Sequence, residues 1–454
     1  MARKVTLIGG GGVRTPLLIH GLAHSQDALG TSEFALYDVD RARAEAMAKI
    51  GREIAARAGV GFPIETYSSL EEAARGAEFI FHSIRVGGIA ARARDERLAM
   101  DHLLAGQETT GAGGAAMAFR TVPVILEQAR VVETAAPAAW FISFTNPAGL
   151  ITQALALHTR IRSVGICDTP MELFHSIAEG LGRPLAEFEF DYAGLNHLGW
   201  IRRVLLRGED ITAQLLDDPA LLKRLYPAPL FDPALIRALG LIPSEYLFFY
   251  YSQRRAYENQ VRNGASRGEE LLRLNHQLFS ELAAQTPAQA VGTYRRYLLR
   301  RNASYLKVEA EAKSAFTVCD DSSDPFETAT GYHRIGVDVI TALRSESGRE
   351  VVVNTPNRGA IADLEPDDVV EVPCRISCGG LEPKSCGRLP ESVRGLVLAV
   401  KAYEREAVRA AVEKSPARAE LAMLEYPLIG QWELARSLRR AMAQHDPEFL
   451  GYLA

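Results

Sequence analysis

The sequence predicts an α/β protein: a parallel sheet wrapped by helices in its first part, then a mixed α/β, largely helical second part. Three observations predict it. Strand and helix patterns alternate through the first 170 residues, a glycine-rich turn follows the first strand, and an acid closes the second. The first strand is the β-branched and apolar run Lys4 to Ile8, followed by a helix that Pro16 starts, since proline fits the first helical turn. Phe34 to Tyr37 is the second strand and Arg41 to about Ala58 an Ala- and Arg-rich helix. Ile64 to Tyr67, Phe79 to Ser83, Trp140 to Phe144 and Arg162 to Ile166 continue the strands. Such alternation makes βαβ units and a parallel sheet covered on both faces. The pattern changes near Asp191 to Trp200. Longer helices are expected from Asp210, with apolar stripes at Leu271 to Leu282 and Arg394 to Val412. Strands at Glu350 to Asn354 and Val369 to Cys374 lie between those stripes. Residues 1–195 are expected to form the first domain, around the parallel sheet, and 196–454 the second, mixed α/β one.

Composition narrows the function classes. The 454 residues are 47% hydrophobic and 24% charged, ordinary for a folded globular chain. With 51 basic and 56 acidic residues the net charge is −5, which gives no electrostatic basis for a nucleic-acid partner. No apolar run reaches 18 residues, so no spanning helix and no membrane partner are expected. The chain enters a strand pattern directly after Met1-Ala2-Arg3, without a signal-peptide pattern, and a cytoplasmic protein is expected. Five cysteines, Cys167, Cys319, Cys374, Cys378 and Cys386, are too few for a disulfide scaffold, and the last three have no CxxC pair or nearby histidine to make a zinc site.

The turn Gly9-Gly10-Gly11-Gly12 has the spacing of a dinucleotide-binding loop, in which Gly9 gives the tight bend and Gly11 lets a pyrophosphate approach the helix N-terminus. Arg14 stands where a third glycine is usual. Asp38, at the end of the second strand, is the acid expected to hold the ribose 2′-hydroxyl of NAD and to repel the phosphate of NADP. Four polar segments then follow, each expected just after a strand: Arg85-Val86-Gly87-Gly88, Gly106 to Gly111 with Glu108, Thr145-Asn146-Pro147, and Cys167-Asp168-Thr169-Pro170. In open parallel sheets ligands bind outside the carboxyl ends of the strands. Gly194-Leu195-Asn196-His197 follows. Singly, Glu108 reads equally as a solvated acid, Asn146 as a turn residue, Cys167 as buried filler and His197 as a packed ring; together they read as a site.

These segments, in this order, resemble glycoside hydrolase family 4 over essentially the whole chain. Ser244 to Tyr251, Arg267-Gly268-Glu269 and Asn354-Thr355 add to the resemblance. Members of that family are NAD-dependent exceptions to two-carboxylate glycosidases. The resemblance implies NAD and a divalent metal, usually Mn²⁺, held by Cys167 and His197. It also implies a route: oxidation of the sugar C3 hydroxyl by NAD⁺, removal of the acidified C2 proton, elimination of the aglycone, water addition and re-reduction. Tyr246 matches the catalytic tyrosine, with Tyr250 the alternative. Gly9, Gly11, Gly12, Asp38 and Arg85 are expected to hold the cofactor, and Glu108, Asn146, Asn196, Arg267 and Arg301 the substrate.

Asp168, by resemblance a proton donor to the leaving oxygen, is the residue type of the 6-phospho-α-glucosidases, whereas the segments from Arg85 and Gly106 are closer to the 6-phospho-β-glucosidases. The β branch is the expectation. Gly12 replaces a serine that in many relatives helps hold the sugar phosphate, and Arg301-Asn302-Ala303-Ser304-Tyr305 and Asn354-Thr355-Pro356-Asn357-Arg358 depart from family patterns. Arg14, Arg301 and Arg358 are candidate compensating cations, and guanidinium suits a uronate as well as a phosphate. An α-linked or unphosphorylated glycoside or a uronide therefore stays open, as does a simple NAD-dependent 2-hydroxy acid dehydrogenase, which leaves Cys167, His197 and Tyr246 unused. A purely NAD-binding regulatory protein leaves the whole constellation unused. The resemblance also implies a homodimer or homotetramer.

Overall fold

The computed structural model describes residues 3–311, 324–328 and 331–454; Cys319 lies outside them. Among the described residues thirteen strands form one sheet. They are β1 (Lys4–Ile8), β2 (Glu33–Tyr37), β3 (Ile64–Tyr67), β4 (Ala77–His82), β5 (Trp140–Ser143), β6 (Arg162–Gly165), β7 (Phe188–Leu195), β8 (Leu198–Leu206), β9 (Glu209–Asp210), β10 (Ile242–Pro243), β11 (Arg349–Pro356), β12 (Val369–Ser377) and β13 (Gly380–Pro383). The order β3-β2-β1-β4-β5-β6 is parallel throughout and is the dinucleotide-binding arrangement. The sheet continues antiparallel from β6 through β11, β12, β7 and β8 to β10.

All five residues of β1 are buried, as a strand with helices on both faces requires. One face packs on the helices Gly111–Ala135 and Ala148–His158, through Phe119, Val122, Ile151 and Leu155. The other packs on Thr15–His24 and Tyr332–Arg344, where Leu18 and Leu22 meet Ile335 and Val339. A helix from late in the chain thus completes the core of the first sheet. Pro16 does lie in the first turn of its helix, and Asp40 caps Arg41–Arg57 by accepting from Arg43 N.

Two expectations are corrected. The segment from Gly106 to Gly111 does not follow a strand; it joins the helices Gly88–Asp101 and Gly111–Ala135. The connection from β4 to β5 carries two helices, and the second must begin at the carboxyl edge of the sheet to deliver the chain to the start of β5. The loop therefore still reaches the strand ends. Nor do long helices begin at Asp210. Thr212–Leu216, Pro219–Arg224 and Pro233–Leu239 come first, the latter two each opened by a proline under an aspartate cap, and left-handed Gly240 ends the last. Long helices start with Gln253–Asn263 and Arg267–Leu282. Among the described residues no helix is long and apolar enough to cross a membrane.

Candidate active site

Two adjoining cavities open at the carboxyl ends of the parallel strands. The first, about 560 Å³, is lined by Gly9, Gly11, Gly12, Asp38 and Arg85. Gly9 has φ +95°, and a Cβ there would stand 2.1 Å from the Ser83 carbonyl oxygen. Gly11 N donates to Asp38 Oδ2 at 2.8 Å, and Asp40 N donates to Oδ1 at 2.9 Å. A Cβ on Gly11 would press on that same Oδ2 at 2.9 Å, so the glycine lets the acid close under the turn. Burial pushes the Asp38 carboxyl above its usual value, and the two backbone donors oppose the shift. Fixed from below, the carboxylate keeps acceptor capacity for ribose hydroxyls. NADP⁺ is accordingly expected to bind at least about tenfold more weakly than NAD⁺, a difference of ~1.4 kcal/mol. Fluorescence titration checks this, and equal affinities would contradict it. Asp38→Ala should narrow the gap.

The second cavity, about 480 Å³, holds Cys167, Asp168, His197, Glu245, Tyr246 and Arg267. Arg14, Arg92, Glu108, Phe144, Asn146 and Arg301 line both cavities. Cys167 follows β6, and His197, with φ +60°, forms the tip between β7 and β8. Their Sγ and Nε2 atoms lie 3.5 Å apart. That suits two donors on one ion at bond lengths of about 2–2.4 Å. Thr109 Oγ1 donates to Gln107 Oε1 at 2.9 Å and lies 3.0 Å from His197 Nδ1. This assigns the ring proton to Nδ1 and leaves the Nε2 lone pair toward Cys167. Burial lowers the His197 value to about 4, against the opposing charges of Asp168 and Glu108, so the ring is neutral as a ligand must be. Burial, then the charges of Glu371 and Asp168, push the Cys167 thiol well up. A bound cation acts in the opposite sense. Among the described residues no three His, Cys, Asp or Glu side chains make a ready metal cage; the pair leaves further positions for substrate oxygens and water. The donor set fits a catalytic divalent metal.

Tyr246 stacks on the His197 ring at 3.8 Å and 14°. Burial, then the charges of Glu108 and Glu245, hold its phenol well above the ordinary range. Tyr250, the alternative, hydrogen-bonds the Tyr426 hydroxyl at 3.0 Å and lines neither cavity. Asp168 faces the cavity with Arg14 Nη1 3.7 Å away. Glu108 pairs with Arg85 and, at 2.8 Å, with Arg92 Nη1. Burial works against its charge, but Arg85, Arg92 and Arg301 hold its carboxyl far below the usual range.

Arg267 opens the helix Arg267–Leu282, whose Ser266 and Glu269 form a capping box. Gly268 must be small because its N–H donates to Glu96 Oε2 at 2.6 Å, where a Cβ would collide. Arg267 turns into the cavity wall, donating to Ser304 Oγ at 3.3 Å and the Arg301 carbonyl at 3.2 Å, with the Tyr305 ring beneath it. Two expected contributors sit elsewhere. Asn196 lines neither cavity: its amide accepts from Ala148 N and donates to Glu371, bracing the chain next to His197. Arg358 is bound to the Leu381 carbonyl and also lines neither.

Sequence reasoning missed Arg92 and Glu96, a buried ion pair inside a helix whose spacing reads as an ordinary surface pair. It missed Glu371, which receives Tyr192, Asn196 and Asn354 in mid-sheet, and Glu245 and Tyr305, whose hydroxyl donates to Glu245. A glutamate beside the matched tyrosine was the available signal for Glu245.

The model for the family 4 glycosyl hydrolases matches residues 4–182, and that for their C-terminal domain residues 192–429. The chain belongs to glycosyl hydrolase family 4. Within that family it is 30% identical to a probable 6-phospho-beta-glucosidase of Bacillus subtilis, covering 98% of this chain and 97% of that one. It is 31% identical to a 6-phospho-beta-glucosidase of Escherichia coli, over 97% and 94%. The structure of the 6-phospho-beta glucosidase from Thermotoga maritima with manganese, NAD⁺ and glucose-6-phosphate superposes with a TM-score of 0.81 at 26% identity, over 98% and 99% of the chains.

Proposed function

We propose that this family 4 member hydrolyses 6-phospho-β-glucosides, using NAD in the first cavity and a divalent metal, Mn²⁺, at Cys167 and His197. One observation carries the reading: the cavities share Glu108, Asn146 and Arg301, so one sugar ring reaches both. When bound, NAD⁺ accepts hydride and the metal polarises sugar oxygens. The chain does the rest. Gly9, Gly11 and Gly12 cradle the pyrophosphate and Asp38 the ribose. Arg85 and Arg92 fix Glu108, which accepts sugar hydroxyls together with Asn146. Tyr246 takes the C2 proton, and Asp168 protonates the leaving oxygen.

Asp168 on the cavity wall also favours a second reading, an α-linked substrate. Nitrophenyl α- and β-glucosides, each with and without 6-phosphate, assayed with NAD⁺ and Mn²⁺, separate the readings. Release from the phosphorylated β-glucoside without net NADH is the expected result. Preference for the α-anomer would move the chain to the other branch, and accumulating NADH would make it a dehydrogenase. Tyr246→Phe should lower turnover by about 10²–10⁴-fold, the range of general-base contributions.

Arg267→Ala tests the phosphate. It should weaken a phosphorylated glucoside by ~1.5–3 kcal/mol, the worth of a charge-assisted hydrogen bond, and a neutral glucoside much less. Equal effects on KM would make Arg267 structural. A homodimer or homotetramer is also proposed; Leu398, Leu421 and Trp432 remain 40–44% exposed on the last helices.

A further inference from the structure

Resting on the glycosidase reading above, the structure assigns Tyr305 and Glu245 a role behind Tyr246: a two-step hydrogen-bonded path that carries the displaced tyrosine proton to a buried carboxylate. Tyr305 follows the helix Pro287–Ala303, far in sequence from the turn that holds Glu245 and Tyr246 before the helix Leu247–Tyr251. Its hydroxyl nonetheless lies 3.2 Å from the Tyr246 hydroxyl and donates to Glu245 Oε1. Glu245 and Tyr246 are each only 7% exposed, and both line the cavity with Tyr305. Consecutive residues are thus joined through a third side chain. Arg267 lies over the Tyr305 ring, 5.0 Å from its centre, and fixes its plane.

The need for such a path is elementary. A hydroxyl oxygen that already bears a hydrogen takes up a second proton only by releasing the first, and that proton needs an acceptor within hydrogen-bond reach. The path balances the step. The C2–H bond breaks and its electron pair enters the C2–C3 enolate of the 3-keto sugar that NAD⁺ oxidation supplies. The proton bonds to the Tyr246 oxygen, the Tyr246 hydroxyl proton passes to Tyr305, and the Tyr305 proton passes to Glu245. Two neutral phenols and one carboxylic acid result. The reverse passage returns the proton to C2 after water has added. Burial above all holds the Glu245 carboxyl up at about 7, with Tyr305, Thr169 and Arg267 opposing and Asp168 reinforcing, so it both takes and returns a proton near neutrality.

Tyr305→Phe keeps the ring under Arg267 and removes one oxygen; Glu245→Gln keeps the shape and removes the acceptor. Both are compared with wild type on nitrophenyl β-glucoside 6-phosphate in deuterium oxide with NAD⁺ and Mn²⁺. Three quantities are read: deuterium entry at C2, the NADH transient from C3 oxidation, and KM. C2 exchange should fall about 100-fold in each variant. The transient and KM should stay within about threefold, a split that loss of packing does not produce. Exchange at the wild-type rate in both variants, or an equal fall of exchange and transient, overturns the relay while leaving the glycosidase reading standing. A raised KM alone makes Glu245 a sugar ligand and overturns the relay too. Wild-type protein that neither exchanges C2 nor releases nitrophenol overturns both.

Discussion

Cys167→Ser is expected to abolish most Mn²⁺-dependent glycosidase activity while leaving the fold and NAD binding in place. Cys167 Sγ faces His197 Nε2 at 3.5 Å, and these are the two protein donors of the candidate metal centre. Mutating residues that merely orient a ligand costs about 10–100-fold in metal affinity, so losing one of two ligands should cost at least the upper figure. Serine keeps nearly the same volume, so the 7%-exposed site behind β6 stays packed. Its hydroxyl gives up a proton far less readily than a thiol. The Gly9 turn is unchanged, and NAD⁺ should titrate as in wild type. Free Mn²⁺ followed by electron paramagnetic resonance gives the affinity, and nitrophenol release gives the activity. Wild-type activity that survives exhaustive chelation would remove the metal from the reaction.

The parallel half of the fold was legible because each of its strands is a short apolar run with its own helix. β1 and β3 match the expected residues, and the other four parallel strands shift by a residue or two at their ends. What the chain does after β6 was less legible. β11 and β12 run two to three residues past their expected ends, because Thr355 in β11 and Arg375 and Ser377 in β12 break the apolar pattern without breaking the ladder; farther in, Asn354 and Glu371 are polar residues at buried positions. The two side chains meet each other, Asn354 Nδ2 donating to Glu371 Oε1 at 3.1 Å. The helix Tyr332–Arg344 packs against strands some 300 residues earlier, and no local pattern records that.

The same division runs through the site. Gly9, Asp38, Asn146 and Cys167 were legible because a parallel sheet gathers its strand ends, so linear order predicts proximity. Arg92, Glu245, Tyr305 and Glu371 depend on contacts between distant elements. A buried Arg92–Glu96 pair at helical spacing has the same sequence as a solvated one, and only burial gives it meaning. Asn196 was legible as part of a motif but not in its use, which is to tie the residue before His197 to Glu371.

Gly9→Ala should be the most damaging single-methyl change in the nucleotide half. Gly9 sits at φ +95°, in the region that an alanine enters at a cost of about 1–2 kcal/mol. Strain is the smaller part. The new Cβ would meet the Ser83 carbonyl oxygen at 2.1 Å and its carbon at 2.7 Å, and both are backbone atoms with no rotamer to yield. Either β1 and β4 part at their carboxyl ends or the turn lifts from Tyr37, whose carbonyl accepts from both Gly9 N and Gly10 N. Each response displaces the turn that lines the nucleotide cavity. NAD⁺ affinity should therefore fall by at least about 100-fold, ~2.7 kcal/mol. Gly76 supplies the control. Its φ is +75°, but a Cβ there has nothing within 4 Å, and it lies at the opposite end of β4. Gly76→Ala should lose ~1–2 kcal/mol of stability from strain alone and bind NAD⁺ as wild type does. Calorimetric titration of both variants, with denaturant melts beside it, separates collision from strain. Equal losses of NAD⁺ affinity would mean that the close approach of Gly9 to Ser83 has no part in holding the nucleotide.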